Sequence, residues 1–367
     1  MPAARHCRLL IPGDWRTLTG GYRYDRRLVE SLRARGASVE WLRLDGAWPR
    51  PDEASLAEAR RAIAALPDGE CVVADGLAFG ALGEVVAPHA RRLRWLALVH
   101  HPLHLETGLD AAAAQALRER ESAALRHARW VVAVSGQTAR DVAELGVPPD
   151  RITVVEPGND AVAAPGFTAA GAGAPGRAGP EGGGVQLLCV ATLTPRKAHA
   201  VLLDALSGLL ALDWTLHCVG SAARDPALAA ALHARTAGGP LAQRVHWHGE
   251  LSAEALQARY ASADLFVLAS LHEGFGMVVN EALMHGLPIV ASRAGALAQT
   301  VPAGAGLLVP PGDAGAWRAA LATAIADRTL RERWADAAWQ AARALPSWDQ
   351  QAERFEAVLD RVWGLAW

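Results

Sequence analysis

Short apolar runs alternate along the chain with longer stretches whose apolar positions recur at helical spacing. In the first half, strands are predicted at Arg8–Pro12, Val39–Leu44, Cys71–Ala74, Leu93–Val99, Trp130–Val134 and Ile152–Val155. Helices are predicted at Tyr24–Arg35, stopped by Gly36, at Glu53–Leu66, and at Gln137–Leu145 behind a Ser135 cap. The second half resumes the alternation. Strands are predicted at Val185–Ala191, Thr215–Val219, Val245–Trp247, Leu265–Leu268, Pro288–Ala291 and Gly306–Val309. Helices fall at His199–Leu212, Pro226–Thr236, Ala253–Ala261, Gly276–His285, Ala314–Ile325 and Leu330–Ala344. Strand–helix alternation of this kind predicts an α/β fold with mostly parallel sheets wrapped by helices.

Between the halves the pattern disappears. Ala163–Gly184 is almost entirely Gly, Ala and Pro, the composition of a connection between two domains. A G-x-G-x-x-G occurs there at Gly171, Gly173 and Gly176, with no strand before it, a proline inside it and no helix after it, so it is not a dinucleotide fingerprint. The expected organisation is two Rossmann-like domains facing each other across a cleft. Residues 1–162 form the N-terminal domain, 163–184 the linker and 185–348 the C-terminal domain. Ligands of open α/β sheets bind outside the carboxyl ends of the strands, which is where the two sheets would meet.

Composition narrows the function. Hydrophobic residues make up 51% of the 367, enough for two cores, and 36 basic against 38 acidic residues leave no field for nucleic acid. No apolar run approaches the roughly 18 residues of a membrane span, and Met1 to Trp15 does not read as a secretory signal, so a cytoplasmic protein is expected. Cys7, Cys71, Cys189 and Cys218 form no CxxC pair and read as reduced core residues. The basic residues are 35 arginines and a single lysine, Lys197.

The strongest chemical signal is DLFVLASLHEGFGMVVNEALMHGLPIVAS, from Asp264 to Ser292. A buried strand ends at Ser270; Glu273, Gly274, Phe275 and Gly276 follow, and a helix begins. Glycines at a strand-to-helix turn let backbone approach a ligand, and the free amides of the helix start attract anionic oxygens such as phosphate. Glu281 lies eight residues beyond Glu273, about 7 Å into the helix at 1.5 Å per residue. The two carboxylates bracket the amides and suit sugar hydroxyls on either side of a diphosphate.

This Glu-x7-Glu segment resembles the signature of glycosyltransferase family 4, retaining enzymes of the GT-B fold. Three further segments are similar in order: VVAVSGQTARDVAELGVPPDRITVVEPGND (Val131–Asp160), VATLTPRKAHAVLLDAL (Val190–Leu206) and GAGLLVPPGD (Gly304–Asp313). The resemblance implies that Glu281 accepts hydrogen bonds from the ribose of a nucleotide-sugar. Glu273 would hold hydroxyls of the transferred sugar, and the amides of Gly274, Phe275 and Gly276 would touch its phosphates. Arg196 and Lys197, between a strand and a helix, would stabilise the charge of the leaving diphosphate, where losing one such donor costs about 3–4 kcal/mol of barrier. A histidine at the end of an N-domain strand lies near the reacting sugar in that family; His100 is the first candidate and His101 the second. Gly20 and Gly21, in the loop between the first strand and helix with Gly13 and Tyr22, would face the donor phosphates. Three positions depart from the family pattern: Thr192 stands where an arginine is usual, Ala198 where glycine follows the lysine, and Gln299 where many members have glutamate.

The activity so implied is retaining transfer of a sugar from a nucleotide-sugar to a hydroxyl acceptor, glycan, lipid-linked or small molecule. No cofactor and no metal are expected, since the donor is a substrate and basic groups with helix amides take a metal's place. The HHxxH at His100, His101 and His104, with Glu106, raises a metal site as the rival reading, but Pro102 breaks any helix that would align it. His246 and His248 share one strand face and read as packing. Trp317, Trp334, Trp339, Trp348, Trp363 and Trp367 crowd the last helices and read as core. Trp348-Asp349 and the helix Gln350–Trp363 resemble the family's final helix, which implies that 349–367 returns to complete the N-terminal domain. Arg23, Arg26 and Arg27, with Arg91, Arg92 and Arg94, leave weak peripheral contact with the inner membrane face open. Two other classes stay open: another enzyme on the scaffold, such as an epimerase or phosphorylase, and a non-catalytic nucleotide-sugar-binding protein.

Overall fold

The computed structural model describes residues 6–17, 19–160 and 184–365. The predicted linker and its G-x-G-x-x-G lie outside the described residues, apart from Gly184, as does Trp367. The chain divides into two units, Met1–Asp160 with Pro346–Trp367, and Ala161–Leu345.

The first unit is built on six strands: β1 (His6–Pro12), β2 (Ser38–Leu44), β3 (Cys71–Asp75), β4 (Arg94–Val99), β5 (Trp130–Ala133) and β6 (Ile152–Val154). They form one sheet in the order β2-β1-β3-β4-β5-β6, each pairing parallel. The second unit repeats the design with β7 (Val185–Val190), β8 (Trp214–Val219), β9 (Val245–Trp247), β10 (Leu265–Leu268), β11 (Ile289–Ser292) and β12 (Gly306–Val309). Their order is β12-β11-β10-β7-β8-β9, again parallel. Parallel sheets are covered on both faces, which is why the central strands are apolar end to end: every residue of β3, β4 and β10 is buried.

In each sheet the winding reverses once. The chain runs from β1 outward to β2, then restarts at β3 and runs the other way through β6; likewise β7 runs out to β9 and the restart is at β10. A crevice opens at the carboxyl ends of the two strands flanking such a reversal. Those pairs are β1 with β3 and β7 with β10.

The helix ends follow local chemistry. Asp52, Asp110, Ser135, Asp225, Ser252, Asp313 and Asp327 each cap a helix by accepting a backbone N–H. The first helix differs from expectation. It covers Gly20–Ala34, beginning four residues before Tyr24, because Thr19 accepts from the Tyr22 amide and caps it there. Gly20 and Gly21 are therefore its first turn and not a loop. The helix after β7 is shorter than predicted, His199–Ser207, and ends at Gly208.

The last helix, Trp348–Gly364, belongs to the first unit. A capping box of Ser347 and Gln350 starts it, and Phe355, Val358, Leu359 and Val362 bury one face. Arg35 of the first helix ties to Glu356 at 3.1 Å and Asp349 at 2.9 Å. Of the C-terminal tryptophans, Trp317, Trp334 and Trp348 are core, while Trp363 is exposed and lies under the Arg94 guanidinium. All four cysteines are buried and free. Among the described residues, no helix is long and apolar enough to cross a membrane.

Candidate functional site

In the second unit, the loops leaving β7 and β10 converge on Glu273. The first loop forms a single 3-10 turn, Pro195–Lys197. The second runs from Ser270 to Gly276, and the two are stitched together where the Leu271 amide donates to the Arg196 carbonyl at 2.7 Å. Arg196 reaches back, its Nη1 donating to the His272 carbonyl at 2.8 Å and to Glu273 Oε2 at 3.3 Å. Lys197 Nζ donates to Glu273 Oε1, which also accepts from Ser270 Oγ at 2.6 Å. Glu273 is only 5% exposed. Burial alone would raise its pKa, but the Lys197 ammonium and Arg196 guanidinium, with the Lys197 and Ser270 hydrogen bonds, hold it down to about 2. Lys197 and Arg196 are thus not a solvated pair. They form a half-buried knot around the buried Glu273, with one net positive charge, at the reversal between β7 and β10.

The helix after this loop is Met277–Met284, and its N-cap Gly276 sits at φ 90°. The left-handed φ favours glycine, and a Cβ there would also push on Leu297 Cδ2 at 2.7 Å. No side chain caps this end. Phe275 is anchored beside it, its ring buried and its carbonyl accepting from Thr300 Oγ1 at 3.0 Å. The Glu273 carbonyl accepts from the Ala296 amide at 2.8 Å. Gly274 lies between these fixed points.

Glu281 stands in the second turn of the helix and is buried, unlike an ordinary helix-surface carboxylate. Tyr260 Oη donates to its Oε2 at 2.8 Å, and the Tyr260 ring stacks on His285 with centroids 4.9 Å apart. His285 Nδ1 in turn lies 2.8 Å from the Glu281 carbonyl. The sequence reading missed Tyr260. Its signal was a lone tyrosine on an otherwise alanine-rich helix, five positions before the start of β10 at Leu265.

The Lys-Ala step has a backbone consequence. Ala198 caps the helix His199–Ser207 at φ 48°, ψ 40°, the one left-handed non-glycine among the described residues. Glycine is the residue that adopts this conformation without cost. The departure noted from sequence therefore falls where the backbone most wants glycine.

In the first unit, His100 follows β4 and sits at the reversal between β1 and β3. Its Nε2 lies 3.1 Å from Asp25 Oδ1 and 3.5 Å from Asp75 Oδ2. Asp25 comes from the first helix and is fully buried; Asp75 ends β3. Gly21 makes room for the ring, since a Cβ there would meet His100 Cδ2 at 3.3 Å. Burial opposes charge on His100, but the Asp25 and Asp75 carboxylates outweigh it and raise its pKa to about 10. Burial pushes Asp25 up to about 6 even though the His100 cation pulls it down. Between those values the pair is ionic.

The histidine set weighed as a metal site is not assembled. His100 goes to the aspartates, His101 pairs with Glu106 at 3.3 Å, and His104 lies 3.7 Å from Glu121. Among the described residues, the group whose nitrogen and carboxylate oxygens do converge, all within 4.8 Å, is Asp25, Asp75 and His100. Asp25 and Asp75 were missed from sequence, although Asp25 occupies the same helical stripe as Leu28, Val29 and Leu32, an acidic residue on an apolar face. His246 and His248 join His217 in a stack of imidazoles, with Gln186 bonded to His217 at 3.0 Å.

Known proteins share this fold and these segments. The description Glycosyltransferase Family 4 matches residues 19–162, and Glycosyl transferases group 1 matches residues 184–327. The chain belongs to glycosyltransferase family 4, with the GT-B fold. The phosphatidyl-myo-inositol mannosyltransferase of Mycobacterium leprae is 32% identical over 172 residues, which are 46% of this chain and 44% of that protein. The chain thus spans less than half the length of that curated relative. Sucrose-phosphate synthase from Thermosynechococcus elongatus has the same fold, with a TM-score of 0.81 over 99% of this chain and 100% of that one at 22% identity. Anabaena HepE, solved in complex with UDP, matches at 0.70 over 97% and 100% with 18% identity.

Proposed function

We propose that the protein transfers a sugar from a nucleoside diphosphate donor to a hydroxyl acceptor with retention of anomeric configuration. The observation that carries this reading is the positive knot of Lys197, Arg196 and Glu273 beside the uncapped helix start at Gly276. Cations beside a helix start that no side chain caps make a diphosphate site. That HepE was solved with UDP supports a nucleotide donor on this fold.

In this reading the amides of Gly274, Phe275 and Gly276 bind the diphosphate, and Glu281, held by Tyr260, accepts from the ribose. Lys197 and Arg196 turn part of their charge from Glu273 to the phosphate oxygens as the glycosidic bond breaks, when leaving-group charge is greatest. Donors aimed at developing charge lower the barrier because they act more on the transition state than on the ground state. Glu273 then holds hydroxyls of the sugar. A carboxylate kept anionic by an ammonium, a guanidinium and a hydroxyl is a weak nucleophile, which favours direct same-face attack by the acceptor over a covalent intermediate. The leaving phosphate takes the acceptor's proton. The roles that the family resemblance implies for His100, Gly20 and Gly21, contact with the transferred sugar and the phosphates, belong to the same proposal. Charge neutralisation by side chains and amides leaves no step that calls for a metal ion.

A thermal-shift panel of UDP-, GDP- and ADP-sugars tests the donor class. A true donor at 100 times its dissociation constant adds about 2.7 kcal/mol of stability. No shift with any nucleotide-sugar would remove the reading. Product anomeric configuration by proton NMR, with and without EDTA, tests retention and metal independence. The cytoplasmic location and a lipid-linked acceptor belong to the same proposal, tested by fractionation and by vesicle co-sedimentation.

A further inference from the structure

His100 is held in a way its proposed role does not require. A histidine that merely touches a sugar could lie on the surface with either nitrogen outward. Here one nitrogen, Nε2, faces two carboxylates at 3.1 and 3.5 Å. A bare lone pair aimed at two anions would be repelled, so Nε2 carries the proton and shares it between Asp25 Oδ1 and Asp75 Oδ2. This contact fixes a proton on Nε2, and Nδ1 is the nitrogen left for a ligand.

The cost of the arrangement shows that it is built. Asp25 is fully buried inside a helix, and its Oδ2 has no hydrogen-bond partner among the described residues. A buried carboxylate with one unsatisfied oxygen persists only where a cation offsets it. The charged and titratable groups around it are few. From the same helix come Arg26, whose Nη1 is engaged by the Trp15 carbonyl at 2.5 Å and the Thr17 carbonyl at 3.2 Å, and Tyr24, which packs edge-on to the His100 ring at 5.3 Å. From β3 comes Asp75. Two carboxylates around one imidazole leave the cluster short of positive charge even when the ring is protonated.

We infer that Asp25 and Asp75 are positioning residues that lock His100 as a doubly protonated ring, so that Nδ1 offers an N–H to the bound sugar and His100 does not act as a general base. This rests on the proposed glycosyl transfer for the identity of the ligand, but not for the state of the ring. It also agrees with a reaction in which the leaving phosphate, and no side chain, removes the acceptor's proton.

The test separates the two. Two-bond 1H–15N spectra of the histidine rings, assigned with His100→Gln, follow His100 without substrate. In the wild-type protein the ring is expected to show both nitrogens protonated at pH 7 and to titrate near 10. Asp25→Asn, which keeps the shape and removes the charge, should lower that midpoint by about two pH units. Asp75→Asn, at the longer contact, should lower it less. In a transfer assay, Asp25→Asn should bring the alkaline fall in kcat down by the same interval, a shift that simple loss of stability does not produce. A wild-type His100 that titrates near 6.5, or a midpoint unmoved in either aspartate variant, overturns the inference. Should Asp25→Asn not fold, the wild-type midpoint and Asp75→Asn still decide. Absence of transfer with a correctly titrating His100 would count against the proposed function alone.

Discussion

The two units place a charged knot at the same point of the same topology, yet the knots are opposite. In the second unit two cations surround one carboxylate; in the first, two carboxylates surround one imidazole. The side chains differ as well. Lys197 and Arg196 are long and stand on a 3-10 turn, so their charged ends can change partners without moving backbone. Asp25, Asp75 and His100 are short, and they stand on a helix, a strand end and the residue after a strand. The first arrangement suits a charge that arrives and leaves with a ligand. The second suits a fixed donor that orients one.

The contrast is broken most strongly at Lys197. Lys197→Met should lower kcat by about 10²–10³, measured as transfer from the donor that stabilises the protein most. Lys197→Arg should recover only part of it, since a fork does not replace a point charge. A rate within twofold of wild type for Lys197→Met would show that the knot does not meet the leaving group. The next largest effect is at Tyr260. Tyr260→Phe removes the donor to a buried carboxylate and should cost about 1–3 kcal/mol in urea unfolding, with a raised KM for donor and little change in kcat.

The knots also divide by pH. Glu273 is depressed from 4.5 to about 2, so its contribution to stability is complete above 4.5 and is lost as pH falls through 2. His100 is raised from 6.5 to about 10, so its contribution is complete below 6.5 and is lost as pH rises through 10. Unfolding midpoints of Glu273→Gln and His100→Gln against wild type should therefore converge at opposite ends of the pH range. Convergence of both at the same end would contradict the opposed charges. The smallest effect sharpens the second unit alone. Ala198→Gly relieves a left-handed alanine and should raise stability by about 1 kcal/mol in denaturant unfolding.

Much of this was legible from hydrophobic spacing. The twelve strands among the described residues are long enough and apolar enough to stand out, because strands of a parallel sheet are buried on both faces. The Glu273–Glu281 segment and the Thr194–Lys197 turn were legible because glycine, proline and charge occur at strand ends, where chemistry gathers. Other features depend on distance in space. Nothing in the spacing joins Glu273 to Lys197, 76 residues away, or Asp25 to His100, 75 away. Gly20 and Gly21 read as a loop because glycine weakens helices, and only the Thr19 cap shows that a helix begins there. Asp25 was hidden by its setting: between Tyr24 and Arg26 it reads as a solvated charge until the helix phase places it inward.

The central claim is that Lys197 and Arg196 leave Glu273 in part to take up a diphosphate at the start of the Met277–Met284 helix. A crystal structure with a bound nucleoside diphosphate tests it directly. The expected result is phosphate oxygens within hydrogen-bond distance of Lys197 Nζ and the Gly274–Gly276 amides, with the ribose against Glu281. A diphosphate bound elsewhere, with both cations still closed on Glu273, would contradict the account.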